Sequence, residues 1–131
     1  MRKILALLLL VAISMTILGG CGGDDKYVKL AKAGPLLDYE YGGNIEKGLK
    51  DYITGEGAKN YSASWKSGKT DSGVTEVVAT ITYTYEGDKQ ELVLYFTVVE
   101  FNENTSFITS SGVKVDGDFY DKDDFWDEVF G

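Results

Sequence analysis

From Asn44 onward the chain alternates between two hydrophobic periods. Ile45, Leu49, Tyr52 and Ile53 recur at helical spacing, with Glu46, Lys47, Lys50 and Asp51 on the other side, which predicts an amphipathic helix over Asn44–Ile53. Asn44 is placed to cap its start, and Gly55 and Gly57 to end it. Gly48 costs a helix interior about 1 kcal/mol, unless the missing side chain lets the helix come close to a sheet. Tyr61, Ala63 and Trp65 then alternate with Ser62, Ser64 and Lys66, as in a half-buried strand, and Ser67 to Gly73 has the composition of a loop.

The pattern is strongest from Val74 to Phe101. Val77, Ala79, Ile81, Tyr83 and Tyr85 share one side of a strand, against Val78, Thr80, Thr82 and Thr84 on the other. A turn over Glu86–Lys89 with Gly87 and Asp88 as its central pair would set Tyr83 opposite Leu92, Ile81 opposite Leu94, Ala79 opposite Phe96 and Val77 opposite Val98. Gln90–Phe101 is apolar on both faces, so this strand should be central. After a turn at Asn102–Asn104, Thr105–Val115 reads as a weaker strand of ambiguous register. Asp121 with Asp124 predicts the capped start of a C-terminal helix whose apolar side carries Phe125, Trp126, Val129 and Phe130. The expected fold class is α+β, an N-terminal helix, a four-stranded antiparallel meander and a short C-terminal helix, with the helices on one sheet face.

The first twenty residues follow another logic. Arg2 and Lys3 precede an apolar run from Ile4 to Leu18, broken only by Ser14 and Thr16. A positive end followed by an apolar stretch shorter than the roughly 20 residues of a spanning helix has the layout of a secretory signal. Leu18, Gly19, Gly20 and Cys21 resemble the lipobox of bacterial lipoproteins. That resemblance implies that the Cys21 thiol receives a diacylglyceryl group, with cleavage between Gly20 and Cys21. Gly22 to Lys26 would then be a short flexible tether, and residues 27–131 a single domain.

A looser likeness covers about half of the chain that follows Cys21. A helix carrying Gly48 and Tyr52, then Trp65 near a strand, then a hairpin with Tyr83, Phe96 and Val98, resembles the architecture of small bacterial lipoproteins, some of them carried on prophages. The resemblance implies location and fold, and brings no catalytic residues with it.

Composition narrows the chemistry. The chain has 131 residues, no His, one Cys and a formal net charge of -8. A Ser-His-Asp triad, a His metal ligand, an intrachain disulfide and a Cys-rich zinc site are thereby excluded. A nucleic-acid partner is not expected, because no basic stripe is present to neutralise phosphates. The acidic stretch Asp116–Asp124 lacks the ligand order of a calcium-binding loop and is explained by an Asp-Gly turn and helix capping. No metal and no cofactor are expected. Glu76, Glu91 and Glu100 are the carboxylates from which a hydrolytic pair could be drawn. The remaining candidate is the sheet face away from the helices, where Val93, Tyr95, Val99 and Phe101 should lie beside Thr80 and Thr82 as a binding patch.

These readings lead to one expectation, a lipid-anchored protein on the extracytoplasmic face of a cell or outer membrane whose domain binds a protein or ligand without catalysis. Two alternatives stand beside it. One is an exclusion or inhibitor-type lipoprotein blocking a basic partner, and the other a two-carboxylate hydrolase.

Overall fold

The computed structural model describes residues 25–37, 44–103 and 105–130. The expected signal sequence, Cys21 and most of the tether lie outside the described residues. The described chain runs α1 (Lys26–Ala33), α2 (Ile45–Gly55), β1 (Lys59–Lys69), β2 (Thr75–Tyr85), β3 (Asp88–Asn102), β4 (Thr105–Val115), β5 (Asp118–Tyr120) and α3 (Lys122–Phe130). The five strands form one antiparallel meander in the order β1-β2-β3-β4-β5, with β3 at its centre. The mixed α+β class therefore holds, with one more strand and one more helix than the sequence pattern predicted.

Helix α1 is the first difference. Asp25 accepts from the backbone N–H of Tyr27 at 3.0 Å and of Val28 at 2.9 Å, so residues read as tether are a helix cap and its first turn. The same carboxylate accepts from the Ser67 hydroxyl, which fastens the start of α1 to β1. Val28 and Ala31 are buried. Helix α2 begins where the sequence places it, with the Asn44 side chain accepting from Lys47 N–H at 3.2 Å. Its row Ile45, Leu49 and Ile53 is buried, and each such side chain withdrawn from water contributes about 1.5–3 kcal/mol before entropy is counted. Gly48 does serve a close approach, but to α3 rather than to the sheet. A Cβ there would run into the Phe130 ring.

The β2–β3 hairpin corrects the expected register. Val77 lies opposite Phe96, Ala79 opposite Leu94 and Ile81 opposite Leu92, two residues away from the anticipated pairing, and Tyr85 closes the ladder against Asp88. The turn is centred on Glu86 (φ 52°) and Gly87 (φ 84°), both left-handed as a type I′ turn requires. A shift of two leaves every side chain on its original face, so the face assignment survives the error. Strand β1 also extends through Ser67–Lys69, part of the stretch read as loop, and Ala63, expected inside, is exposed.

Strand β4 carries the feature that made its register unreadable. Tyr95 pairs with Gly112 but Phe96 with Ser110, so Ser111 is an extra residue that inverts the alternation. Ile108 and Ser110 face the helices before it, and Val113 and Val115 after it. The helix-side rows of β2, β3 and β4 and the buried faces of all three helices make one core cluster, to which Trp126, Phe96 and Leu49 belong.

Candidate functional site

The sheet face away from the helices carries every residue of the anticipated patch. Thr80 lies opposite Val93, Thr82 opposite Glu91 and Val78 opposite Tyr95. The middle of this face is closed by its own side chains. Lys114, opposite Val93 on β4, is 2% exposed, with its Nζ 4.6 Å from the Phe119 ring centre and 5.7 Å from that of Tyr95. An ammonium between two ring faces gains from the quadrupole of each. Gly112 lies opposite Tyr95, where a Cβ would meet the ring in ordinary van der Waals contact at 3.4 Å. Val93 is buried beneath this arrangement. Burial, helped by Glu76 and Glu91, raises the Tyr95 hydroxyl above its ordinary pKa. Val99 and Phe101 stay open at one end, where Phe101 is 74% exposed and meets Phe107 edge-on at 6.3 Å.

The three carboxylates considered for hydrolysis are set apart by the register. Glu76 and Glu91 are on the same face, but Glu91 pairs with Thr82, six residues along β2 from Glu76, which is about 20 Å. Glu100 lies on the helix side and accepts from the Tyr27 hydroxyl at 3.3 Å. The acidic stretch near the C-terminus is occupied by turn and cap chemistry. Asp116 (φ 50°) and Gly117 (φ 88°) form the β4–β5 turn, Asp116 accepts from Glu91 N–H at 2.8 Å, and Asp121 accepts from Asp124 N–H at 3.0 Å. Among the described residues no cluster of three or more Asp, Glu, Cys or His is placed to hold a metal ion.

A second site was not visible in the sequence. At the end of the sheet formed by the β2–β3 hairpin, a shallow cleft of about 370 Å³ opens between α2, α3 and the strands. Tyr52, Tyr83 and Tyr85 supply its rings, Glu56 and Glu128 its charge, and Gln90 an amide. Glu128 organises it. Its two oxygens accept from the Tyr52 hydroxyl at 3.1 Å and the Tyr120 hydroxyl at 3.3 Å, joining α2 and β5 through α3. Burial, together with that bond and the charge of Glu128, pushes the Tyr52 hydroxyl up to about 12, because a phenolate there would face a carboxylate. Tyr120 is raised chiefly by the charge of Glu128. Two carboxylates and no ammonium or guanidinium line the cleft among the described residues. Such a hollow, with aromatic walls and uncompensated negative charge, suits a small cation. A larger hollow of about 610 Å³ lies beside it, lined by Thr82, Thr84, Lys89, Glu91 and Asp116, where the mixed charges select no one class of ligand.

No helix among the described residues is long and apolar enough to cross a membrane. Comparison of the chain with protein-family models, with curated proteins and with solved structures finds no match in any of the three.

Proposed function

We propose that this protein is a lipid-anchored, extracytoplasmic binding protein of the bacterial envelope that takes a cationic group, such as a basic side chain of a partner or an organic ammonium, in the tyrosine- and glutamate-lined cleft. The anchor half of the reading is supported by Arg2 and Lys3, the apolar run after them and the Leu18-Gly19-Gly20-Cys21 sequence. The binding half is carried by one observation, that Tyr52, Tyr83 and Tyr85 converge on a cleft whose ionised groups are Glu56 and Glu128. The overall charge of -8 favours the approach of a cation and disfavours nucleic acid. Position favours it too. The cleft is at the end of β2 remote from Ser67, to which Asp25 is bonded, so a chain tethered through its N-terminus presents the cleft away from the bilayer.

No catalytic step belongs to this reading. Choline and N-acetyl-lysine methylamide are the probes, with acetate as the control. The two cations are expected to shift the ring resonances of Tyr52, Tyr83 and Tyr85, and Glu56→Gln with Glu128→Gln to weaken the effect about tenfold, within the range of an aromatic and carboxylate-held cation. Tyrosine resonances that ignore both cations would remove the proposal.

A further inference from the structure

Four of the exposed apolar side chains among the described residues lie together, while Leu37, Phe119 and Tyr120 are exposed elsewhere. Val74, Val99 and Phe107 fall in a row across the open sheet face, since Val99 pairs with Phe107 and the β2–β3 register, extended two residues beyond Glu76–Thr97 to just before β2, sets Val74 opposite Val99. Phe101 extends the row and packs edge-on against Phe107. These residues are 41%, 37%, 38% and 74% exposed, in the order Val74, Val99, Phe107 and Phe101. All stand at one end of the sheet, where the C-terminal ends of β1 and β3 meet the N-terminal ends of β2 and β4.

The N-terminal attachment is at that same end. Asp25 is held in place twice, by capping α1 and by the bond to Ser67 near the end of β1, and Tyr27 of the first turn reaches Glu100 near the end of β3. Only four peptide steps separate Asp25 from Cys21, a span of at most about 14 Å. Strand β2 alone is 11 residues, about 35 Å long, so a lipid on Cys21 brings this end of the sheet to the bilayer and leaves the hairpin end out of reach.

We infer that the row Val74, Val99, Phe101 and Phe107 seats in the headgroup region of the membrane that holds the anchor, giving the protein a second membrane contact and a fixed upright orientation. This rests on the anchor reading above. The charged residues flanking the row in sequence, Lys69, Asp71 and Glu103, with Glu100 on the other face, are one base against three acids, so no basic cluster is present to draw this end to anionic lipid. Contact is therefore apolar, and it should be as firm on zwitterionic as on anionic lipid.

The test uses the full chain, recovered from bacterial membranes and reconstituted in phosphatidylcholine vesicles that carry a nitroxide near the top of the acyl chain. Cys21 is the only cysteine, and its thiol is consumed by lipidation, so an introduced cysteine takes a bimane label alone. The bimane at Val74→Cys is expected to be quenched, and that at Lys89→Cys, on the far hairpin, to stay bright. Adding Phe101→Ser and Phe107→Ser, both at exposed positions that leave the core intact, should bring Val74→Cys to the Lys89→Cys level. Equal brightness at the two sites in the parent chain overturns the inference, as does quenching that needs anionic lipid or shielding of Val74→Cys by a second copy. The mass of the N-terminal peptide separates the two claims. Acyl chains present without quenching sink the docking surface alone, whereas an unmodified Cys21 sinks both.

Discussion

The indole N–H of Trp126 donates to the Ser110 hydroxyl at 2.8 Å, and neither residue has any exposed surface. The bulge at Ser111 turns Ser110 inward to meet α3, so the C-terminal helix is located by a polar contact inside an otherwise apolar core. Ser110→Ala leaves the indole donor buried without an acceptor. The expected loss is about 1–3 kcal/mol, read by urea unfolding. An unchanged midpoint would mean that the bond does not position the helix.

The turn makes an independent prediction. Glu86 holds φ 52° in the first central position of a type I′ turn, where a side chain with a Cβ is strained and Asn or Gly is favoured. Glu86→Asn should stabilise the protein by up to about 1 kcal/mol. Had the turn been centred on Gly87 and Asp88, the gain would come from Asp88→Asn or Asp88→Gly instead, so the pair of variants discriminates the two registers.

That contrast shows what the sequence could and could not reveal. The inward row of Val77, Ala79 and Ile81 was legible because an alternation of two survives a shift of two, whereas the register depends on which residues accept a positive φ. Helix α1 escaped notice because only Val28 and Ala31 of its eight residues are buried and its cap lies in a Gly- and Asp-rich stretch. Strand β5 has three residues, all exposed, and so no burial pattern to read. The cleft draws Tyr52, Tyr83, Tyr85, Gln90 and Glu128 from four separate elements, each ordinary in its own segment. Nor does anything near Lys114 foretell that a lysine on an uncovered sheet face is sealed by its aromatic neighbours.

Gly48 and Phe130 should be strongly non-additive. Gly48→Ala gains about 1 kcal/mol of helix propensity but drives a methyl group into the Phe130 ring, which is stacked on Trp126 at 5.8 Å. The single variant is expected to be destabilised. In a Phe130→Ala background the same change should stabilise by about 1 kcal/mol, and a double-mutant cycle in thermal or urea unfolding measures the inversion. Purely additive effects would show that the two helices do not touch there.

Two ionisable groups give pH dependence of known sign. The Tyr52 hydroxyl titrates at about 12 in the folded protein against an ordinary value of 10.0, so its contribution to stability is complete below pH 10 and is lost as pH rises toward 12. Glu128→Gln should lower the Tyr52 midpoint in an ultraviolet absorbance titration, and no movement would break the link between the two. Glu76, raised by burial, follows the same sign in an acidic range, because the folded state prefers its neutral form. Glu76→Gln should therefore raise the melting temperature at pH 7 and leave it unchanged well below the ordinary carboxylate pKa.

The most direct test of a membrane-held protein that offers its tyrosine and glutamate cleft outward is the intact mass of the chain extracted from its own cells. The account predicts an N-terminus at Cys21 carrying a diacylglyceryl thioether, in the membrane fraction, and a Cys21→Ser variant without it. A chain that still begins at Met1, or one found free of lipid with an unmodified Cys21 thiol, would contradict it.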